Sequence, residues 1–141
     1  MGVRCFVSVD VEDPGILDAI ELVQGSLKAT GADLKAVEKE NIHLTLKFLG
    51  DVDEGTLEEM KGIISGIIFD PFWMELRGVG TFPNLRRPMV VWVGLTQGVE
   101  ELRQIFERLE AGLTGLGFKP EKRRFSPQLT IARVRSGRNK I

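Results

Sequence analysis

The apolar positions of this chain fall into blocks of two periods, one near two residues and one near three and a half. Residues 3–9, VRCFVSV, are rich in β-branched and aromatic side chains and run into Asp10-Val-Glu-Asp13-Pro14, which predicts a strand. Asp13-Pro14 opens a predicted helix over 14–29, with Ile16, Leu17, Ile20, Val23 and Leu27 at helical spacing and Thr30-Gly31 closing it. IHLTLKFLG at 42–50 alternates cleanly and reads as a strand, followed by a helix over 54–69 carried by Leu57, Met60, Ile63, Ile64 and Ile67. A strand is expected at 72–79 and another at 89–95, MVVWVGL, with Gly78, Gly80, Pro83 and Pro88 marking a loop between them. A third helix spans 99–116 on Leu102, Ile105, Phe106, Leu109 and Leu113, and PQLTIARVR at 127–135 alternates like the earlier IHLTLKFLG. Trp73 and Trp92 are expected in strands and in the core, and Gly62 and Gly66 as a helix-packing pair.

The order strand–helix–strand occurs twice. Val7 to His43 is 36 residues and Val91 to Gln128 is 37, a period too long for a solenoid. Strand–helix–strand is common in α+β proteins, so coincidence is one reading. The other is a duplicated β-α-β unit giving two lobes about a pseudo-two-fold axis, with a cleft between the repeated motifs. A shared polar-Leu-Thr-apolar tetrapeptide at matching places favours duplication.

With 141 residues, 43% of them apolar and 28% charged, the chain has room for one domain or two small lobes sharing a core. Disorder and collagen-like repeats are excluded. A single cysteine, Cys5, rules out an internal disulfide and a multi-cysteine zinc site, and is expected reduced and buried in its strand. A single histidine, His43, stands against any mechanism needing two. No segment suits a signal sequence or a membrane span, so a soluble cytoplasmic protein with no membrane partner is expected. The net charge of −1 argues against bulk nucleic-acid binding, but it is unevenly spread. From Lys119 to Ile141 eight basic residues face one acid, Glu121, leaving the rest of the chain acidic. That points to an anionic ligand near this end, or to a solvated tail.

Alternation places His43, Thr45 and Lys47 on one face of their strand and Leu44, Leu46 and Phe48 on the other, toward the core. Gln128 and Thr130 likewise oppose Leu129 and Ile131. Each motif offers a larger polar group and a threonine hydroxyl roughly 6.5–7 Å apart, two strand rises. Facing each other, the pairs would make a four-point polar pocket whose hydroxyls donate to non-bridging phosphate oxygens. An imidazole on each side would supply a base for attacking water and an acid for the departing alkoxide, as in-line displacement at a cyclic phosphodiester requires. One His-x-Thr-x alone has a bland alternative, a surface histidine and two ordinary β-forming threonines. Lys47 could hold phosphate or be solvated at a strand end. Phe125 could stack on a base or pack in the core, and Arg86-Arg87 could touch RNA or water. There is no P-loop, dinucleotide fingerprint or metal-ligand spacing, so neither cofactor nor metal is expected.

The stretches RCFVSVD, ENIHLTLKFLGDVDE, GVGTFPNLRRPMVVWVGL and LGFKPEKRRFSPQLTIARVR carry a wider resemblance, from Arg4 to about Lys140. The chain resembles the two-histidine phosphoesterases, specifically the LigT-like RNA 2′,3′-cyclic phosphodiesterases, once called 2′-5′ RNA ligases. The resemblance implies a two-lobed α+β fold, each lobe an antiparallel sheet with helices outside. It implies conversion of RNA 2′,3′-cyclic phosphates to 2′-phosphomonoesters, without metal, and in some members the joining or cleavage of 2′-5′ linkages in tRNA halves. The implied partners are RNA ends, 2′,3′-cyclic nucleotides and tRNA halves. His43 matches the family's first motif histidine, which protonates the leaving oxygen. Thr45 and Thr130 match its phosphate-binding threonines, and Arg133 falls where a basic residue often follows the second motif. Gln128 stands where the family has its second histidine, the proton acceptor. An amide can hydrogen-bond water or phosphate but cannot take up a proton near neutral pH. The expectation is therefore a chain that binds its phosphodiester and hydrolyses it poorly. The alternatives are a non-catalytic module for RNA ends carrying 2′-phosphate or cyclic phosphate, or an interaction protein with no nucleotide role. Family members usually continue past RVRSGRNK with a helix and a closing strand pair, without which one sheet is expected to carry an exposed edge.

Overall fold

The computed structural model describes residues 2–122 and 124–135. In chain order these form β1 (Val3–Asp10), α1 (Pro14–Ala29), β2 (Leu34–Ala36), a 3-10 turn (Lys39–Asn41), β3 (His43–Val52), α2 (Glu54–Ser65), β4 (Glu75–Phe82), β5 (Val90–Gln97), α3 (Val99–Thr114) and β6 (Gln128–Val134). The class is α+β, as expected. One sheet pairs β1 with β3, and the other has the order β2-β6-β5-β4. β6 is antiparallel to both of its neighbours. Of the basic residues near the C-terminal end, Arg123, Arg138 and Lys140 lie outside the described residues.

The chain divides into two compact units, and neither is a half of the sequence. The first comprises Met1–Ser8, Thr45–Glu75 and Thr96–Pro127, and the second Val9–Leu44, Leu76–Leu95 and Gln128–Ile141. Each helix of a strand–helix–strand repeat is therefore counted away from the strand that precedes it. α1 follows β1 but packs against β6, and α3 follows β5 but packs against α2. An amphipathic helix settles on whichever sheet best covers its apolar stripe, which chain order does not specify.

In the first unit, Val52, Met60, Leu109 and Leu113 form a buried cluster, with Leu46, Leu49, Leu57 and Phe118 packed around it. The close approach of α2 and α3 is made by Gly112, where an added Cβ would lie 2.5 Å from Ile63 Cγ2. The expected Gly62–Gly66 pair does not serve this purpose, since a Cβ at Gly62 would meet nothing within 4 Å. α2 starts at Asp53, whose carboxylate accepts the Thr56 N–H at 2.7 Å. That hydrogen bond holds the Asp53 carboxyl below the usual carboxylate range. The helix ends earlier than 69 because Gly66 closes it, its N–H donating to the Gly62 and Ile63 carbonyls, both at 3.1 Å. The strand expected at 72–79 begins only at Glu75, so Trp73 lies outside it and is 83% exposed rather than core. Cys5 is half-buried in β1 rather than buried.

In the second unit, α1 opens as the sequence indicates, the Asp13 carboxylate accepting the Ile16 N–H at 3.1 Å. It buries Ile20 and Gln24. The three-residue β2 gives no readable period. It exists because Leu34 is buried and pairs with Val134 of β6. Gly78 and Gly80, expected in a loop, lie inside β4. No helix among the described residues is long and apolar enough to cross a membrane.

Candidate active site

The second motif lies on β6, and its geometry depends on one extra residue. Opposite β5, Gln128, Leu129 and Thr130 pair with Gly94, Val93 and Trp92, whereas Ala132 and Arg133 pair with Val91 and Val90. Ile131 is thus left over, a β-bulge. Directly opposite residues share a sheet face. Gln128, Thr130 and Arg133 therefore lie on the face of Gly94, Trp92 and Val90, and Leu129 and Ala132 on the buried face of Val93 and Val91. In an unbroken strand Arg133 would point away from Thr130. The bulge reverses its parity and puts the predicted cation beside the predicted hydroxyl.

A bulge removes a residue's backbone from the ladder, and a buried carbonyl needs a donor. The Ile131 carbonyl has two. Val37 N–H donates at 2.9 Å, and Gln24 Nε2 donates to it at 2.9 Å while also donating to the Val37 carbonyl at 2.9 Å. Gln24 comes from α1 and is buried. It pins the irregularity that orients Arg133, and its only signal in the sequence is a polar residue on an apolar helix stripe.

Trp92, directly opposite Thr130, is half-buried on this same polar face rather than in the core as expected. Its ring lies over Gly80 of β4, where an added Cβ would sit 2.2 Å from Cζ2. Glycine at that position is what lets the indole lie flat against β4.

The first motif lies on β3, which runs from the second unit into the first between Leu44 and Thr45. His43 is half-buried at the strand's start, Leu44 is buried and Thr45 is exposed. Alternation then fails. Leu46 and Leu49, of opposite parity, both pack on the first unit's core, and Phe48 is 57% exposed with the Arg4 guanidinium 5.4 Å from its ring centre. Lys47 is not solvated at a strand end, nor does it reach toward phosphate. It is only 6% exposed, and its ammonium pairs with the Glu110 carboxylate of α3 and donates to the Lys119 carbonyl at 2.9 Å. The other Glu110 oxygen accepts the Glu121 N–H at 2.8 Å. These bonds fix the loop after α3 on the first unit. Phe125 in that loop is half-buried and stacks one face of its ring on Phe106, at 4.9 Å between ring centres. Arg86 and Arg87 are exposed, and their backbone N–H groups donate to Asn84 Oδ1.

Among the described residues, no group of three or more His, Cys, Asp or Glu side chains could hold a metal ion. The structure thus brings Gln128, Thr130 and Arg133 onto one face, and places His43 and Thr45 two residues apart on β3. Chemically, the β6 face offers hydroxyl, amide and guanidinium donors, a set suited to phosphate oxygens.

Comparison with known proteins accords with that chemistry. The LigT-like phosphoesterase family matches residues 9–92, which include His43 and Thr45 and end before Gln128. The RNA 2′,3′-cyclic phosphodiesterase of Aeropyrum pernix is 45% identical over 83% of this chain and 66% of its own length. That of Methanothermobacter thermautotrophicus is 39% identical over 99% of this chain, and the chain spans 76% of it. Among solved structures, a Thermus thermophilus protein superposes with a TM-score of 0.84 at 27% identity, covering 95% of this chain and 75% of that one. Escherichia coli LigT complexed with 3′-AMP superposes with a TM-score of 0.79 at 26% identity, covering 99% and 76%. On sequence and fold together, the chain belongs to the LigT-like phosphoesterase family.

Proposed function

We propose that this chain binds RNA ends bearing a 2′,3′-cyclic phosphate and opens the ring to a 2′-phosphomonoester, as a metal-independent hydrolase that is slow in its present form. Support for the ligand comes from the face shared by Gln128, Thr130 and Arg133, and from relatives named for this reaction over nearly the whole chain. In this reading the Thr45 and Thr130 hydroxyls donate to the non-bridging oxygens, and Arg133 offsets the phosphate charge. Water attacks phosphorus in line with the 3′-oxygen. The new P–O bond forms as the P–O3′ bond breaks, and His43 delivers a proton to the departing 3′-oxygen. The attacking water must also lose a proton; Gln128 can only hold that water by a hydrogen bond, so the proton passes to solvent. Loss of a placed general base costs about 10²–10⁴ in rate.

The experiment is a hydrolysis assay with 2′,3′-cyclic AMP on the chain as it stands and on Gln128→His. The substitution is expected to raise kcat by about 10²–10⁴ with little change in KM. Equal rates would remove Gln128 from the base position. One observation favours a second reading, a non-catalytic module for RNA ends carrying 2′-phosphate or cyclic phosphate: Gln128 stands where a proton acceptor is needed, whereas the retention of His43 and both threonines favours the enzyme. Binding without hydrolysis, even after Gln128→His, would establish it. Joining of 2′-5′ ends and a preference for tRNA halves fit the same site chemistry, and the same assay run with 2′-5′-linked dinucleotides tests the former.

A further inference from the structure

The polar face of the second unit's sheet extends beyond the residues already assigned. Arg133 pairs on its other side with Lys35 of β2, so Lys35 stands on the face that also carries Thr130 and Gln128. Two cations directly opposite one another, with Cβ atoms about 5 Å apart, repel. Sheets usually place an acid near such a pair, and the neighbouring basic residues here have one. Arg135 Nε lies 3.0 Å from Asp33 Oδ1, and Lys39 Nζ lies 3.2 Å from Asp18 and 2.8 Å from Glu21. Lys35 and Arg133 are both exposed, and neither has an acidic partner among the described residues. The repulsion is concentrated at one spot on the candidate phosphate-binding face. A polyanion would relieve it.

We propose that Lys35, directly across from Arg133, forms a second phosphate contact, which receives the RNA backbone on the 5′ side of the cyclic-phosphate end while Arg133 serves the terminal phosphate. This rests on the reading of the site given above. An RNA ending in a 2′,3′-cyclic phosphate has its remaining phosphates only on the 5′ side, so a contact beyond the terminal one must meet the preceding nucleotide. The bulge at Ile131 puts Arg133 next to Thr130 on this face, and Lys35 stands one strand further out. Lys35, on an edge strand of three residues, adds charge without occupying the site of reaction. The substrate class is accordingly an oligonucleotide end rather than a free cyclic mononucleotide.

Equilibrium binding separates the possibilities. The probes are a hexanucleotide ending in a 2′,3′-cyclic phosphate and 2′,3′-cyclic AMP, each titrated with the chain as it stands, Lys35→Ala and Lys35→Arg. Lys35→Ala is expected to weaken the hexanucleotide about three- to tenfold, to lower the slope of log affinity against log salt by about one, and to leave 2′,3′-cyclic AMP unchanged. Lys35→Arg is expected to restore the hexanucleotide. Equal loss for both probes, or no loss for the hexanucleotide, overturns the second contact. So does an unsubstituted chain that binds the hexanucleotide no more tightly than 2′,3′-cyclic AMP. If the unsubstituted chain binds neither probe, the proposed function fails first and this contact fails with it.

Discussion

β3 and β6 carry the same Leu-Thr text, and each abandons plain alternation three residues or fewer beyond its threonine. On β3 the departure turns a charge inward: Lys47 is buried on Glu110 and the loop after α3. On β6 it turns a charge outward, as the bulge at Ile131 moves Arg133 onto the face of Thr130. One strand uses its cation to hold structure, and the other leaves its cation exposed on the face of its threonine. A basic residue near a motif threonine cannot be assigned a role from its spacing. What decides is whether an acid meets it inside, as Glu110 meets Lys47, or whether its neighbours are another cation and solvent.

The sharpest way to break this contrast is to remove the inward charge. Lys47→Met would leave the half-buried Glu110 carboxylate beside a neutral side chain; losing one partner of a buried pair typically costs about 3–5 kcal/mol, an upper bound here. Urea denaturation is expected to show a loss of up to that size, and the double substitution Lys47→Met with Glu110→Leu to recover most of it. A loss below about 1 kcal/mol would place Lys47 with ordinary surface pairs and remove the distinction between the strands.

The bulge is tested next. Gln24→Leu takes away one of two donors to the Ile131 carbonyl and the side-chain donor to the Val37 carbonyl. Buried acceptors left short of a donor cost about 1–3 kcal/mol. The expected outcome is a stability loss in that range, with faster amide exchange at Val37 than at Leu129. If Gln24→Leu is neutral, strand pairing alone sets the bulge. A similar loss, about 1–3 kcal/mol from overpacking, is expected for Gly80→Ala, because the new methyl group collides with the Trp92 ring. Tryptophan fluorescence reports the displacement of Trp92, while Gly62→Ala on α2, with open space around it, is expected to leave the fluorescence unchanged and to stabilise the helix by about 0.5–1 kcal/mol.

These same residues show what can be read without coordinates. The capping aspartates, the alternating strands and the apolar helix stripes are local signals, and the helix starts at Pro14 and Glu54 fall where they point. The pairing of His43 with Thr45 on one strand and of Gln128 with Thr130 on another is legible because a motif within one strand has its spacing built in. The roles of Lys47, Gln24 and Lys35 are not, for one shared reason. Each acquires its role from a partner far away in sequence: Glu110 for Lys47, Ile131 for Gln24, Arg133 for Lys35. A bulge is equally silent in sequence, since PQLTIARVR alternates well enough to hide the extra residue. Trp73 and Trp92 both read as core because large aromatics in apolar runs usually are. Whether such a ring is covered depends on strand limits and on a glycine in the next strand, neither of which a period reveals.

The smallest effect compares the two units by their response to pH. In the first unit, the Thr56 N–H holds the Asp53 carboxyl below its usual range, so the cap of α2 favours the ionised form. Its contribution is present above the ordinary carboxylate range and is lost as pH falls through the lowered value. In the second unit, Glu21 and then Asp18 hold the Lys39 ammonium above the usual lysine range. That contribution is present below the ordinary lysine range and is lost as pH rises through the raised value. Both groups are exposed, so each effect is small and weakened by salt. Asp53→Asn should therefore flatten only the acid limb of a stability–pH curve, and Lys39→Gln only the alkaline limb. Residue-resolved exchange should place the acid loss in α2 and the alkaline loss near α1 and the 3-10 turn. A loss that appears in both places on either limb would mean the two units do not respond separately, and the contrast between their charge arrangements would stop at the motif strands.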